Sequence, residues 1–130
     1  MRRTLERGAA VVEFAFVLIL LIPLILVIIA WGVRFHNAAQ ADNAAFVAAR
    51  YFAVKCSTDG ASATANAQAA GASAASGLIA AGNITIVGGC TSGNVISATV
   101  SKSQAWSPPL PIFGMTGSYT LGGNGAARCE

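Results

Sequence analysis

The sequence predicts an α+β chain: a long N-terminal helix that crosses a membrane, a second helix rich in alanine, and a small three-stranded antiparallel sheet. Three observations predict this class. Residues 14–33 form an apolar run without a formal charge, helical spacing of apolar residues continues after it, and the last third of the chain alternates with a period of two. A length of 130 residues suits one membrane helix and one small domain.

The apolar run is long enough to cross a bilayer. At 1.5 Å per residue, residues 14–33 span about 30 Å as a helix, which is the thickness of the hydrocarbon core. Arg2, Arg3 and Arg7 precede the run and favour a cytoplasmic N-terminus, which Arg34 opposes only weakly. We therefore predict a single-pass membrane protein with its N-terminus inside and its C-terminus outside, in contact with membrane lipid.

The excess positive charge belongs to the N-terminus. Residues 1–8 hold three arginines and one glutamate, which is +2 of the net +3 of the whole chain. This distribution indicates membrane topology and not a basic patch on a folded surface. We therefore expect no nucleic-acid partner.

The helical pattern continues beyond the predicted membrane segment, over residues 34–55. One side of this segment is apolar and the other is mostly polar. The predicted apolar face consists of Phe35, Ala38, Ala39, Ala45, Phe46, Ala49, Phe52 and Ala53. A single helix from Ala9 to Val54, roughly 70 Å long, would join both parts despite Pro23. The alternative is an ordinary anchor followed by a separate helix.

The remaining residues, 56–130, predict a small α+β domain. Ser57–Gly60 has the composition of a turn, and residues 61–81 are rich in alanine. Alanine favours a helix here, although Gly71 and Gly77 each weaken it by about 1 kcal/mol relative to alanine. Gly82–Asn83 is the predicted helix end. A flexible linker is the alternative for this segment.

Three strands follow the predicted second helix. Ile84–Val87 is rich in β-branched residues, and Val95–Ser101 alternates apolar with polar residues. Pro108, Pro109 and Pro111 predict a loop, since proline removes a backbone donor. A third strand is expected from Tyr119 through the following glycines toward Arg128.

The cysteines predict one disulfide bond. Cys56, Cys90 and Cys129 all fall on the predicted outer side, where disulfides persist and where a small domain benefits from one. If the third strand runs antiparallel to the second, Cys129 ends beside Cys90, so Cys90–Cys129 is the preferred pair. Cys56–Cys90 is the alternative, because three cysteines allow three pairings.

The residue pattern offers no catalytic, cofactor or metal site. The chain lacks a CxxC pair, and its one histidine, His36, lies near the predicted membrane boundary. Asp42 and Asp59 form no obvious carboxylate pair, and no glycine-rich segment has the lysine of a phosphate loop. We expect a protein that is not an enzyme and binds no cofactor.

Glu13 is the most informative residue, because it is the only formal charge between Arg7 and Arg34. An ionised carboxylate near hydrocarbon costs several kcal/mol unless it has a partner. The stretch from Gly8 and Ala9 through Glu13 to Phe14 is similar to the processing site of Flp-type prepilins. That resemblance implies cleavage after Gly8, which makes Ala9 the new N-terminus and Glu13 the fifth residue.

The new α-amine at Ala9 would offer a partner to the carboxylate. Residues spaced by four lie on one side of a helix, so Glu13 can meet the amine of its own chain or that of a neighbour. The alternative is that Glu13 lies at the level of the lipid headgroups and stays hydrated.

Three stretches together resemble TadE-like minor pilins, or pseudopilins, of the tight-adherence (Tad, Flp-type) type IV pilus system. They are Arg7–Ala15, Asn43–Arg50 and Gly125–Cys129. The sequence departs from the family at Trp31–Phe35, where many relatives carry an acidic residue before the aromatic one. Any contact made by that acid is absent here.

The resemblance implies a pilin-like architecture and a structural role. Residues 1–8 would be the leader peptide, 9–33 the transmembrane helix, 34–55 its amphipathic continuation and 56–130 an extracytoplasmic domain. The expected partners are a prepilin peptidase, the Flp-type major pilin, other minor pilins and an assembly platform in the inner membrane. The expected role is assembly or capping of the pilus, with the chain anchored in the inner membrane or incorporated in the fibre.

Two other hypotheses differ from this one in the mature N-terminus. An unprocessed, membrane-anchored envelope protein would keep Met1. A secreted domain with a signal peptide cut near Ala41 would begin at Asp42. Processing after Gly8 predicts Ala9.

Overall fold

The computed structural model describes residues 2–106 and 117–129, with side chains for residues 10–105 and 117–129. It confirms the α+β class, with a long helix, a shorter one and a three-stranded antiparallel sheet. The elements are α1 (Arg2–Asp59), α2 (Ala63–Ala74), β1 (Ile84–Val87), β2 (Val95–Trp106) and β3 (Gly117–Arg128), with short 3-10 turns at Gly60–Ser62 and Ala81–Asn83.

Helix α1 is continuous over 58 residues, so the membrane segment and the amphipathic segment form one helix as predicted. At 1.5 Å per residue it is about 87 Å long. Pro23 lies within it and does not end it. The helix ends at Asp59 because Gly60 has a φ of +56°, a conformation that glycine adopts without steric cost.

The predicted second helix exists as α2, but it ends at Ala74 and not at Gly82–Asn83. Ser76 and Gly77 both have positive φ, 48° and 83°, which cannot continue a right-handed helix. The predicted helix end was therefore placed too late. Gly82 and Asn83 belong to a 3-10 turn in which the Asn83 side chain accepts a hydrogen bond from the Ala80 backbone N–H.

The sheet has the order β1-β2-β3, and both pairs are antiparallel. The predicted alternation in β2 is confirmed, since Ile96, Ala98 and Val100 are buried. Strand β2 continues to Trp106, and β3 already begins at Gly117, with the expected path through the glycines to Arg128. The predicted loop prolines, Pro108, Pro109 and Pro111, lie outside the described residues.

Helix α1 packs against two elements through very small residues. On one side, a Cβ atom on Gly71 of α2 would lie 2.7 Å from the carbonyl oxygen of Ala44. On the other side, a Cβ atom on Gly123 of β3 would lie 2.7 Å from the backbone nitrogen of Asp42. Both distances are too short for real atoms, so glycine is required for helix, helix and sheet to approach this closely.

The buried face of α1 coincides with the predicted one only in part: Ala45, Ala49, Phe52 and Ala53 are buried as predicted. It is centred on alanines that α2 and β3 cover: Ala41, Ala44, Ala45, Ala48 and Ala49. Phe35 and Phe46, expected in the core, are 67% and 48% exposed. The prediction was wrong for these two residues, because the α1 backbone itself lies against β3 at residues 41–46 and leaves no room for a bulky side chain between them.

Candidate functional site

The N-terminal half of α1 presents a long apolar surface that the rest of the chain does not cover. Among the described residues, one helix is long and apolar enough to cross a membrane, and none of its most apolar window is buried. Phe14, Phe16 and Leu20 are 62%, 70% and 75% exposed. Apolar surface of this extent requires lipid or another apolar helix around it. This indicates a membrane anchor.

Glu13 and Phe14 are both exposed on this surface. Gly8 and Ala9 belong to the same helix, as do Arg2, Arg3 and Arg7. The roles predicted for these residues, in processing, assembly and topology, stay predictions.

At the end of the predicted membrane segment, Arg34 lies between two aromatic rings. Its guanidinium carbon is 5.7 Å from the centroid of Trp31 and 4.8 Å from that of Tyr119. Such cation–π contacts are worth about 0.5–1 kcal/mol at exposed sites. They hold the start of β3 beside α1 at this level. Arg34 thus has contact partners within the chain.

Strand β3 follows α1 in the same direction along the chain. Tyr119 lies against Arg34, Gly123 against Ala41, and Gly125 against Phe46. The beginning of β3 is therefore the end of the sheet nearest the membrane helix. Sequence reasoning missed Tyr119, since no local pattern indicates a contact between residues so far apart in the chain.

At the far end of the sheet, the structure joins Cys56 to Cys90 by a disulfide and leaves Cys129 as a buried thiol. The bond is therefore the alternative pair, and the preferred pair Cys90–Cys129 is not formed. The expected register is nevertheless present, because Cys129 exchanges two backbone hydrogen bonds of 2.9 Å with Gly93 and Asn94. The sequence does not show that α1 runs along the sheet as far as Cys90, and this path is what brings Cys56 beside Cys90.

Asp59 connects the end of α1 to α2. Its carboxylate accepts hydrogen bonds from the Asn66 amide at 2.9 Å and the Tyr51 hydroxyl at 3.2 Å. The Asn66 hydrogen bond, with smaller contributions from Tyr51, Thr58 and Lys55, lowers the pKa of Asp59. Burial and the bond to Asp59 raise the pKa of Tyr51. The carboxylate is thus held ionised as a structural acceptor.

The other polar residues considered for chemistry also make structural contacts. The His36 ring lies 2.8 Å from the Gln40 amide, and Asp42 accepts the Asn124 backbone N–H at 3.0 Å. In the described part of the chain, no three His, Cys, Asp or Glu side chains are grouped as metal ligands would be. That the protein has no catalytic residues and no metal stays a prediction.

Comparison with known proteins gives one result. Residues 8–50 match the family model for TadE-like proteins. The resemblance predicted from the sequence is therefore confirmed for this segment. No curated protein and no solved structure matches the sequence significantly.

Proposed function

We propose that this chain, similar to TadE-like proteins over residues 8–50, is a structural minor pilin of a Tad-type pilus. A prepilin peptidase cuts it after Gly8, and the mature protein takes part in assembling or capping the fibre. Residues 1–8 are the leader, 9–33 the transmembrane helix, 34–55 its continuation and 56–130 the extracytoplasmic domain.

The observation that carries this proposal is the extent of the family match. It begins at Gly8 and ends at Arg50. It therefore includes the proposed cleavage site, the exposed apolar part of α1 and the first buried turns beyond it. A match of this extent supports a pilin-like protein more than an unrelated anchored domain.

Cleavage would change both the charge and the mobility of the helix. Hydrolysis of the Gly8–Ala9 peptide bond removes Arg2, Arg3 and Arg7 and leaves a positive α-amine on Ala9. Pulling the leader arginines through hydrocarbon would cost several kcal/mol, so an uncut chain cannot easily leave the bilayer. Processing is therefore the step that permits the helix to enter a fibre.

The mature helix would then pack against Flp-type pilin and other minor pilins on the assembly platform. Its exposed apolar surface supplies the contact, and Glu13 supplies a charge for an α-amine of its own or a neighbouring subunit. The domain formed by α2 and the sheet remains outside the membrane. Its place on one end of α1 suits a subunit that begins or caps the fibre.

The N-terminus of the membrane-extracted protein tests this proposal. Mass spectrometry of protein from cells with a matching prepilin peptidase should find Ala9, and Gly8→Ala should reduce the processed fraction at least about tenfold. Gly32→Ala is the matched control, since Gly32 lies in the same helix and a Cβ atom there meets nothing within 4 Å. Its processing should be unchanged.

Two results would contradict the proposal. A terminus at Met1 despite an active peptidase would favour an unprocessed anchor. A terminus at Asp42 would favour a secreted domain.

A further inference from the structure

The three cysteines of the chain meet at one place, the far end of the sheet. Cys56, Cys90 and Cys129 line a recess of about 160 Å³, together with Ala53, Val54 and Ser57. Cys56 and Cys129 also belong to one buried cluster, at 6% and 4% exposure, while Cys90 is exposed. A buried thiol thus shares a recess with a disulfide bond.

The thiol is held beside the Cys90 half of that bond. Sγ of Cys129 lies 3.6 Å from the carbonyl oxygen of Gly89, the residue before Cys90. The backbone of Cys129 is fixed by its hydrogen bonds to Gly93 and Asn94 in the same connection between β1 and β2. Cys129 therefore stays next to Cys90 as long as β3 is paired.

We propose that this group is a thiol–disulfide exchange site, in which Cys129 displaces Cys56 from Cys90. The Cys129 thiolate attacks Sγ of Cys90, an S–S bond forms between them, and the Cys56–Cys90 bond breaks. Cys56 leaves as a thiolate and takes up the proton that Cys129 released. The number of thiols and disulfides is unchanged, so the step requires no oxidant or reductant.

Exchange would change what the bond connects. The Cys56–Cys90 bond ties the end of α1 to the connection between β1 and β2. A Cys90–Cys129 bond would instead tie that connection to the end of β3 and leave α1 held against the sheet by non-covalent contacts. The site therefore decides whether a disulfide cross-links the end of α1 to the sheet.

Peptide mapping of the full chain in detergent tests this inference without any mutation. The protein is incubated at about pH 8, close to the ordinary cysteine pKa of about 8.5, without oxidant or reductant. Samples are acidified, denatured and labelled with N-ethylmaleimide before digestion. The label should be on Cys129 at first and should then appear on Cys56 within hours, together with a linked Cys90–Cys129 peptide.

A concentration series and two variants complete the test. The rate should be unchanged on tenfold dilution, since the step is intramolecular. Cys129→Ser should keep the Cys56–Cys90 bond indefinitely, and Cys56→Ser should form Cys90–Cys129 on air oxidation. A label that stays on Cys129 alone in the unmodified protein would overturn the inference, and so would two persistent thiols in Cys56→Ser.

Discussion

At the scale of single residues, the carboxylates of Glu13 and Asp59 differ in their surroundings. Asp59 has its partners within the chain, in Asn66 and Tyr51. Glu13 lies exposed on an apolar helix surface, where an ionised carboxylate is costly unless it has a partner. The partner that we propose for it is the α-amine of its own or a neighbouring chain.

We predict that Glu13→Ala impairs pilus incorporation at least about tenfold, a loss of about 1.4 kcal/mol or more, and leaves membrane insertion unchanged. The physical reason is the loss of the charge that pairs with an α-amine. Quantitative immunoblots of sheared pili and of membranes measure both. Glu6→Ala is the control, because processing removes that carboxylate, and it should assemble normally. Equal incorporation of Glu13→Ala and the unmodified protein would contradict the pairing role.

For Asp59, we predict that Asn66→Ala raises the pKa of the carboxyl toward its ordinary value, since the largest cause of the lowered pKa is removed. A lowered folded-state pKa stabilises the fold above the unfolded-state pKa, and this contribution is lost as pH falls through the folded-state value. The Asn66→Ala variant should therefore lose the contribution of Asp59 to stability at a higher pH than the unmodified protein does.

Carboxyl-carbon NMR titration in detergent micelles measures this shift. Asn43→Ala is the control, because the Asn43 amide bonds the Ala74 carbonyl and not Asp59. An unchanged titration of Asp59 in Asn66→Ala would contradict the assignment of the cause.

At the scale of elements, glycine and alanine determine how α1, α2 and β3 pack. Gly71 faces Ala44 and Ala48, and Gly123 faces Ala41. The small residues permit backbone contact, which explains why the domain buries few large side chains; Ile79, Ile84 and Ile96 are the largest that are fully buried in the described residues. The bulky apolar residues in the N-terminal half of α1 remain exposed.

We predict that Gly123→Ala and Gly125→Ala each destabilise the domain by about 1–3 kcal/mol, because the added methyl group overlaps the α1 backbone. Gly122→Ala is the matched control in the same strand, since its Cβ atom would lie 4.0 Å from the nearest atom, the Val100 carbonyl oxygen. Thermal unfolding followed by tryptophan fluorescence in detergent measures the difference. Equal midpoints for all three variants would contradict close packing of β3 on α1.

At the scale of the whole molecule, α1 is both the membrane anchor and the support of the domain. Its apolar half is exposed and its other half is covered by α2 and β3. The Arg34–Tyr119 contact and the Cys56–Cys90 bond attach the sheet at its two ends.

We predict that a reporter active only outside the cytoplasm, such as alkaline phosphatase, is active when fused after Glu130 and inactive when fused before Met1 of the full chain. The arginines that precede the apolar run favour this topology. Enzyme activity normalised to the amount of fusion protein measures it. The opposite pattern of activities would show an inverted chain.

The sequence by itself determined the elements whose signal is local. An uncharged run of membrane length, the continued helical spacing after it and the alternation around Ile96 and Val100 each predict an element from neighbouring residues. The stretch from Gly8 to Phe14 that resembles a prepilin processing site is likewise contiguous, so the sequence is enough to show the family resemblance.

Only the tertiary structure decided which face of α1 is buried, where α2 ends, and which cysteines are joined. Each depends on contacts between residues distant in the chain. Ala44 is buried because α2 covers it, and Cys56 meets Cys90 because α1 runs along the entire sheet. Local periodicity predicts that a helix has an apolar side. Which residues on that side become buried depends on the elements that pack against the helix.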